Sequence, residues 1–275
     1  MTPGRRRLDA ELVRRKIARS RDQAVEWIKA GRVEVGGFVA QKPATVVEPD
    51  VSIKVAEADG DDWASRGAHK LLGALDAFEP LGLSVAGKRA LDAGASTGGF
   101  TDVLLDHGAK EVIAVDVGYG QLVWRLQNDE RVTVLDRTNI RHLTPDMMGG
   151  PAQVMVGDLS FISLELVLPA IANCLEDGAD LLPMVKPQFE VGKERLGSGG
   201  VVRSPELRAE VTLGVAQFAH TLGLSCRAAV ASPLPGPSGN VEYFLWLVKD
   251  DGHSAPSDGE LAAMIQRAVE EGPKN

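Results

Sequence analysis

The chain has 275 residues, an apolar content of 44% and a formal net charge of −8. This length suffices for one large domain and a small one. No apolar run reaches the ~20 residues of a membrane span, and no apolar stretch follows the first basic residues as in a signal peptide. Two isolated cysteines, Cys174 and Cys226, favour reduced thiols and a cytoplasmic location.

Charge is distributed unevenly along the chain. Residues 1–32 contain ten Lys and Arg against four acidic residues, a net charge of +6. Because the whole chain has a net charge of −8, residues 33–275 have a net charge of −14. A basic end on an acidic body is typical of a protein that meets phosphate at one end. The same charge run also fits a solvated helix face, and charge alone does not decide between the two.

The N-terminal sixty residues are predicted to form a small α+β unit. Apolar side chains recur at helical spacing over residues 8–17, and Ser20 is predicted to cap a second helix over 21–30. A hairpin around Gly36 and a strand over 51–55 follow. Such a unit buries little core, so its expected role is to present its helices.

The order and spacing of residues 20–24 and 31–37 resemble those of the S4-type RNA-binding module. The resemblance covers about residues 5–60 and implies an RNA-binding domain over 1–60. The polar break at 59–62 and the short segment after it predict a linker over 61–67. The residues predicted to bind RNA are Arg5, Arg6, Arg7, Arg14, Arg15, Lys16, Arg19 and Arg21, with Arg66, Lys193 and Arg195 farther along the chain.

From residue 68 onward, predicted helices alternate with short apolar strands, which is typical of a doubly wound α/β domain. Strands are expected at 90–93, 112–115, 132–135, 154–157, 180–185, 224–231 and 242–248. Helices are expected near 68–78, 100–107, 164–175, 205–222 and 258–271. Ligands of such sheets bind outside the carboxyl ends of the strands, where four successive strands end in Asp116, Asp136, Asp158 and Lys186.

A glycine-rich turn after the first of these strands predicts a nucleotide-like ligand. It brings backbone close to the ligand at the start of a helix. Ser96 stands where a dinucleotide site has glycine, which disfavours a dehydrogenase. Asp116 is expected to bind ribose hydroxyls and Asp136 an adenine amino group, although either acid would also serve as a helix cap.

The phrase from Leu91 to Phe100 resembles the first motif of Rossmann-like methyltransferases, and this implies S-adenosylmethionine as the cofactor. The predicted cofactor contacts are Gly94, Ala95, Ser96, Thr97, Gly98, Gly99, Phe100, Asp116, Val117, Asp136 and Asp158.

The residues expected at this sheet edge suit methylation of a sugar hydroxyl. Neither cysteine lies there, which disfavours attack by a pyrimidine carbon, and the turn 158–161 lacks the prolines typical of amine methylation. Glu242 joins the edge if the last strand is antiparallel, and Lys70 precedes the first strand. A lysine normally keeps its proton at neutral pH, and a second ammonium with partial desolvation favours its release. We therefore predict Lys186 as general base toward a 2'-hydroxyl.

In this prediction Lys70 and Glu242 orient Lys186, and Asp158 holds the lysine and the methionine amino group. The set Lys70, Asp158, Lys186 and Glu242 resembles the K-D-K-E tetrad of ribose 2'-O-methyltransferases of the FtsJ/RrmJ type. An alternative interpretation of Lys70 is an ordinary lysine on the surface of its helix. Residues 188–204 are expected to form a mobile loop over RNA, or alternatively a disordered spacer.

With the basic N-terminal end included, the chain is identified as a member of the TlyA family of rRNA (cytidine-2'-O)-methyltransferases, also labelled haemolysins. Matching phrases lie at 65–71, 158–164, 185–190 and 235–243. The resemblance implies a Rossmann-like class I sheet of seven strands over 68–275, with the last strand antiparallel. It also implies methylation of cytidine in 16S and 23S rRNA and a link to cyclic-peptide antibiotics. The acidic start of the linker, Asp61-Asp62, departs from the basic residue expected there.

Three other functions remain open on the sequence. A small-molecule O-methyltransferase would leave the basic end unexplained. A membrane-acting haemolysin would need an amphipathic membrane helix, which the sequence does not offer. An RNA-binding adaptor with an inactive methyltransferase fold would be expected to lack part of the tetrad. The expected partners are rRNA and ribosomal subunits, without a membrane or a metal ion.

Overall fold

The computed structural model describes residues 5–18, 20–29, 31–55, 63–192, 194–236, 238–249 and 255–273. The chain divides into two compact units, Met1–Asp62 and Trp63–Asn275. The boundary between them falls within the segment proposed as a linker.

The N-terminal unit combines two short helices with short antiparallel strands. Its elements are β1 (Arg6–Arg7), α1 (Leu8–Arg14), α2 (Arg21–Lys29), β2 (Val33–Val35), β3 (Phe38–Val39), β4 (Val46–Val47) and β5 (Ile53–Val55). Strand β2 lies between β3 and β5, and β1 pairs with β4. Leu8, Leu12 and Ile28 close a small apolar core between the helices and the sheet.

The predicted helices and hairpin of this unit are confirmed, and Ser20 Oγ accepts the predicted capping bond from Gln23 N at 3.2 Å. The first helix is shorter than its apolar spacing suggested. It ends at Arg14 because Lys16 has a left-handed backbone with φ of 59°, so Ile17 lies outside the helix. The pairing of β1 with β4 was not predicted.

The larger unit alternates strands with helices. Its elements are α3 (Ala68–Phe78), β6 (Arg89–Ala93), α4 (Gly99–Asp106), β7 (Glu111–Val115), α5 (Trp124–Gln127), β8 (Val132–Leu135), α6 (Pro145–Met148), β9 (Ala152–Gly157), α7 (Leu168–Asn173), β10 (Leu175–Val185), α8 (Pro187–Glu190), α9 (Pro205–Thr221), β11 (Leu224–Ala231), β12 (Tyr243–Lys249) and α10 (Asp258–Glu271).

The seven strands of this unit form one sheet in the order β11-β12-β10-β9-β6-β7-β8. Strands β6 to β10 pair in parallel, and β12 runs antiparallel to both β10 and β11. Alternate side chains enter opposite cores: Leu91 packs on one face of the sheet and Ala90 on the other. The predicted doubly wound sheet with an antiparallel last strand is confirmed.

One predicted helix, over 164–175, is wrong in its extent. A single helix there would carry Pro169 in its interior, where the ring removes a backbone donor and clashes with the preceding turn. The chain instead forms a short 3-10 turn, and α7 begins at Leu168 with Pro169 in its first turn. Strand β10 then starts at Leu175, five residues earlier than predicted, with an irregular register before Asp180.

Candidate active site

The sheet topology brings the predicted polar residues to one edge. Asp158 follows β9 and Lys186 follows β10, so both lie at the carboxyl ends of parallel strands. Glu242 precedes β12, whose first residue, Tyr243, pairs with Val185 at the end of β10. The antiparallel strand therefore begins where its neighbours end.

The four residues of the predicted tetrad are joined at this edge by successive ion pairs. Lys70 Nζ lies 2.6 Å from Glu242 Oε2 and 3.5 Å from Asp158 Oδ2. Lys186 Nζ forms an ion pair with Asp158 Oδ1. Lys70, Lys186 and Glu242 are buried, so Lys70 is not a plain surface lysine. Two ammonium groups and two carboxylates balance in charge, which is what buried charges require.

Further contacts fix the two residues at opposite ends of this set. Lys186 Nζ donates to Ser160 Oγ at 2.8 Å, and Gln188 Nε2 donates to Glu242 Oε1 at 3.4 Å. A Cβ at Gly236 would lie only 2.5 Å from Glu242 Oε1, so the turn before β12 packs directly on that carboxylate. The turn before β12 thus forms one wall of the site.

The glycine-rich turn lies against Asp158. Gly94 has φ of 86°, and a Cβ built on it would lie 2.9 Å from the carbonyl oxygen of Asp158. Ser96 also has a left-handed backbone, with φ of 48°, and its N–H donates to Asp116 Oδ2 at 2.8 Å. The turn therefore contacts Asp158 of the tetrad on one side and Asp116, at the end of β7, on the other.

Asp116 and Asp136 organise the loop that follows β7. Asp116 Oδ1 accepts from Gly118 N at 2.7 Å, and Asp136 Oδ2 accepts from Gly120 N at 2.8 Å. Neither acid is the N-cap of a helix in the described chain, since α5 is preceded by Val123. Their alternative interpretation as helix caps is wrong.

Asp92 is a residue of this site that the sequence reasoning passed over. It is fully buried in β6, Thr101 Oγ1 donates to its Oδ2 at 2.6 Å, and its Oδ1 has no hydrogen-bond partner in the described residues. Burial, with a smaller contribution from the charges of Asp158 and Asp116, raises its pKa to about 7, against the opposing effect of the hydrogen bonds from Thr101. The sequence signal that could have identified Asp92 is an acidic residue inside an apolar strand, directly before the glycine turn.

These acids fit the predicted cofactor. S-adenosylmethionine carries a sulfonium and an ammonium group. The carboxylates of Asp116 and Asp158 lie beside the glycine turn, and the carboxyl of Asp92 is buried directly before it. A Cβ at Gly98 would meet Leu126 and Leu122 at under 3 Å, so the backbone there is held in close contact with apolar side chains. Thr97, Gly99, Phe100 and Val117 lie in or beside the same turn and loop.

An aromatic pair, one member of it exposed, lies beside the tetrad. Phe161, three residues after Asp158, is 90% exposed and has φ of 63°. Its ring centroid is 5.2 Å from that of Phe189, which in turn lies 5.9 Å from Lys186 Nζ. An exposed phenylalanine with a left-handed backbone departs from both packing and backbone preferences, which favours a binding role.

The segment proposed as a mobile loop is tied to the site in the residues described. Asn240 Oδ1 accepts from Val202 N at 2.9 Å, and Asn240 Nδ2 donates to Gly200 O at 2.9 Å. Val202 also packs in a small apolar cluster with Val191 and Val211. These contacts connect the segment to the turn that precedes Glu242.

The basic residues predicted to bind RNA divide between the two units. Arg6 and Lys16 are exposed on the N-terminal unit and Arg66 on the larger unit. Arg195 Nη1 pairs with Glu210 at 2.5 Å. Arg5, Arg7, Arg14, Arg15 and Arg21 form ion pairs with acids of their own unit. Arg19 and Lys193 lie outside the described residues.

The two cysteines are buried free thiols away from the tetrad. Burial raises the pKa of Cys174 to about 11 and that of Cys226 to about 12. Such thiols carry little thiolate at neutral pH, so neither is suited to act as a nucleophile. Within the described residues, no helix is long and apolar enough to cross a membrane.

A doubly wound sheet with this strand order, a glycine turn after its first strand and acids at the next strand ends defines an α/β methyltransferase. Residues 63–249 match the family model described as FtsJ-like methyltransferase, and residues 6–53 match the S4 domain. The chain belongs to the TlyA family of FtsJ-like methyltransferases.

Individual relatives cover nearly the whole chain. The chain is 56% identical to the 16S/23S rRNA (cytidine-2'-O)-methyltransferase TlyA of Mycobacterium tuberculosis, over 98% of this chain and 99% of that one. It is 40% identical to YqxC of Bacillus subtilis, described as a candidate rRNA methyltransferase, over 100% and 96%. A solved structure of a candidate hemolysin from Streptococcus thermophilus is 37% identical and covers 97% and 96%, with a TM-score of 0.73.

Proposed function

We propose that this enzyme transfers a methyl group from S-adenosylmethionine to the ribose 2'-hydroxyl of cytidine in 16S and 23S rRNA, in the cytoplasm. The observation that carries the proposal is the contact of Lys70, Asp158, Lys186 and Glu242 beside the glycine turn. The name of the M. tuberculosis relative supports the nucleoside and both RNAs, and two reduced, buried thiols suit the cytoplasm.

The chemistry needs an oxygen nucleophile that gives up a proton. S-adenosylmethionine, when bound, supplies an electrophilic methyl group on its sulfonium. Lys186 first releases its own proton to solvent, and its neutral amine then accepts the proton of the 2'-hydroxyl at Nζ, where Asp158 and Ser160 Oγ hold it in place. Lys70 lies between Glu242 and Asp158, so it fixes both carboxylates and compensates part of their charge.

The glycine turn and its acids bind the cofactor. The turn brings backbone N–H groups at the start of α4 to the ligand. Asp116 accepts from ribose hydroxyls, Asp136 from the adenine amino group, and Asp158 from the methionine amino group. Asp92 lies directly before the turn, and its ionised form adds negative charge opposite the positively charged cofactor.

The N-terminal unit binds rRNA through its basic residues, and the match of residues 6–53 to the S4 domain supports this role. The exposed Phe161, packed on the partly buried Phe189, provides an aromatic surface for a base that has left its helical stack. A base bound there places its ribose near Lys186, since Phe189 lies 5.9 Å from Lys186 Nζ.

We further propose that this modification alters susceptibility to cyclic-peptide antibiotics that target the ribosome. Family membership supports this step. A strain that lacks the gene is expected to change in susceptibility to these antibiotics, and restoring the wild-type gene, but not Lys186→Ala, is expected to reverse the change.

The experiment that tests the activity is methylation of ribosomal subunits isolated from a strain lacking the gene, followed by mass spectrometry of nucleosides. The wild-type enzyme is expected to produce 2'-O-methylcytidine in both RNAs. Lys186→Ala is expected to lower the rate by at least about 100-fold, the effect of losing a general base, while cofactor affinity is retained. The exposed Lys110→Ala is the matched control. A methyl group on the base, or full activity of Lys186→Ala, would contradict the respective assignment.

A further inference from the structure

Asp9 is a buried carboxylate that holds two arginines of the N-terminal unit. Arg7 donates from Nε to Asp9 Oδ1 at 3.1 Å and from Nη2 to Oδ2 at 2.8 Å. Arg21 Nη2 donates to the same Oδ2 at 3.0 Å, and Ala10 N completes the set at 2.8 Å. Because Arg7 precedes α1 and Arg21 begins α2, one carboxylate orients arginines at the starts of both helices.

Glu11, two residues farther along α1 and also buried, does the same for a second pair of arginines. Arg14 donates from Nε and Nη2 to its two oxygens, at 2.8 and 2.6 Å, and Arg15 Nε donates at 2.8 Å. Arg15 also donates to the carbonyl oxygens of Val51 and Pro49. The Arg15 side chain is only 21% exposed and stabilises the fold through these contacts. The Arg14 side chain is 47% exposed and remains accessible to a ligand.

Both carboxylates are ionised at neutral pH. Hydrogen bonding from Arg7 holds the pKa of Asp9 well below its usual range, and bonding from Arg14 lowers that of Glu11 to about 2. Two guanidinium groups against one carboxylate leave each cluster with a net charge of +1. Each cluster thus stays positive although its acid is buried.

The oriented arginines keep donors for another ligand. A guanidinium has five N–H groups; Arg7 uses two of them on Asp9 and Arg21 uses one. The Arg7 side chain is 50% exposed and that of Arg21 is 59% exposed, so the remaining donors are accessible. Guanidinium groups held with free N–H donors match the oxygens of a phosphate.

We propose that Asp9 and Glu11 are positioning residues for RNA binding, which fix the exposed arginines in orientations that receive backbone phosphates. The proposal rests on the proposed rRNA function. A free arginine side chain loses conformational freedom when it binds, and one already held by a carboxylate has lost it in advance. Asp9 and Glu11 therefore strengthen RNA binding even though their charge repels phosphate.

This opposition of sign makes the proposal testable. Asp9→Asn removes one negative charge and raises the net charge of the unit by one, so electrostatics alone predicts tighter binding of RNA. Loss of arginine orientation predicts weaker binding. Asp50→Asn is the matched control, because it makes the same change of charge at an exposed position that holds no ion pair in the described residues.

The experiment measures methyl transfer by the full-length enzyme to unmethylated ribosomal subunits at several salt concentrations. We expect Asp9→Asn and Glu11→Gln to raise KM for subunits by about tenfold, the scale of one lost charge-assisted contact, with kcat and cofactor affinity unchanged. Asp50→Asn is expected to leave KM unchanged or lower it. Wild-type or lower KM for Asp9→Asn overturns the proposal while leaving the rRNA function intact. A wild-type enzyme that does not use subunits at all overturns both.

A double-mutant cycle separates positioning from a general loss of folding. In an Arg7→Ala and Arg21→Ala background, Asp9 has no arginine left to orient, so Asp9→Asn is expected to add no further rise in KM. If Asp9→Asn raises KM in this background by the same factor as in the wild-type enzyme, the proposal is overturned, whether or not the substitution lowers the stability of the unit.

Discussion

Lys70 Nζ and Glu242 Oε2 lie 2.6 Å apart, although 172 positions separate the two residues in the chain. Both residues are buried, so each depends on the other for charge compensation. We expect Glu242→Gln to lower the free energy of unfolding by about 3 kcal/mol, since it leaves a buried ammonium with less negative charge nearby. Methyl transfer is expected to fall as well, because Lys70 also contacts Asp158.

Urea unfolding of the larger unit, followed by tryptophan fluorescence, measures this loss of stability. Glu176→Gln, on an exposed side chain of β10, is the control and is expected to stay within about 0.5 kcal/mol of wild type. Equal stability of Glu242→Gln and wild type would show that the ion pair is not required for folding.

Gly94→Ala tests the close contact of the glycine turn with Asp158. The new Cβ would lie 2.9 Å from the carbonyl oxygen of Asp158, and the residue has φ of 86°. Gly87→Ala is a matched control, because Gly87 has a similar φ of 73° with nothing within 4 Å of the added Cβ. Both variants are expected to lose about 1–2 kcal/mol through backbone strain.

Only Gly94→Ala is expected to weaken cofactor binding, since only there does the added carbon displace Asp158. Isothermal titration with S-adenosylmethionine measures the difference. Equal cofactor affinities in the two alanine variants would mean that the position of Asp158 does not determine cofactor binding.

Phe161→Ala tests the aromatic surface beside Lys186. One stacked base is worth about 1–3 kcal/mol, so KM for ribosomal subunits is expected to rise by roughly 5- to 150-fold. Cofactor affinity should remain unchanged, because Phe161 is 90% exposed and packs in neither core of the sheet. Leu166→Ala, another exposed apolar side chain of this unit, serves as the control. An unchanged KM for Phe161→Ala would argue against base stacking.

Asp92 gives the larger unit a specific dependence on pH. Burial raises the pKa of its carboxyl to about 7 in the folded protein, above the ~3.9 of an unfolded aspartate. Folding therefore favours the protonated form. The contribution of Asp92 to the free energy of unfolding is greatest below pH ~4 and is lost as the pH rises to about 7. The loss is of the order of a few kcal/mol.

Asp92→Asn is expected to remove this dependence while keeping an oxygen that accepts from Thr101 Oγ1. Measured as melting temperature in cofactor-free protein, the variant should exceed wild type at pH 8, with the difference shrinking toward pH 5. A difference that stays constant with pH would assign the effect to a group other than Asp92.

Most of the sheet was predictable because its strands are short apolar runs ended by charged residues. The strands β6 to β9 matched within two residues, since Asp116, Asp136 and Asp158 mark their ends directly. The start of β10 was missed because residues 176–178 are polar and exposed, so no apolar run marks them. The four-residue helices α5 and α6 were also missed, because one helical turn carries no periodicity.

The candidate site was predictable to a similar depth. The meeting of Lys70 and Glu242 followed from a resemblance and from an assumed antiparallel strand, not from local pattern. The role of Asp92 was missed because strand assignment treats every position of an apolar run alike. Phe161 gave no signal either, since a left-handed backbone at phenylalanine is set by its tertiary surroundings.

Strand β12 is among the last elements along the chain, yet it lies inside the sheet, between β10 and β11. During synthesis, the gap beside β10 therefore closes only after nearly all of the polypeptide has been made, and Glu242 arrives with it. A nascent or prematurely terminated chain that ends before this point has Lys70 and Lys186 but lacks the carboxylate that pairs with Lys70. Translation must pass residue 242 before any copy of the enzyme acquires a complete set of four.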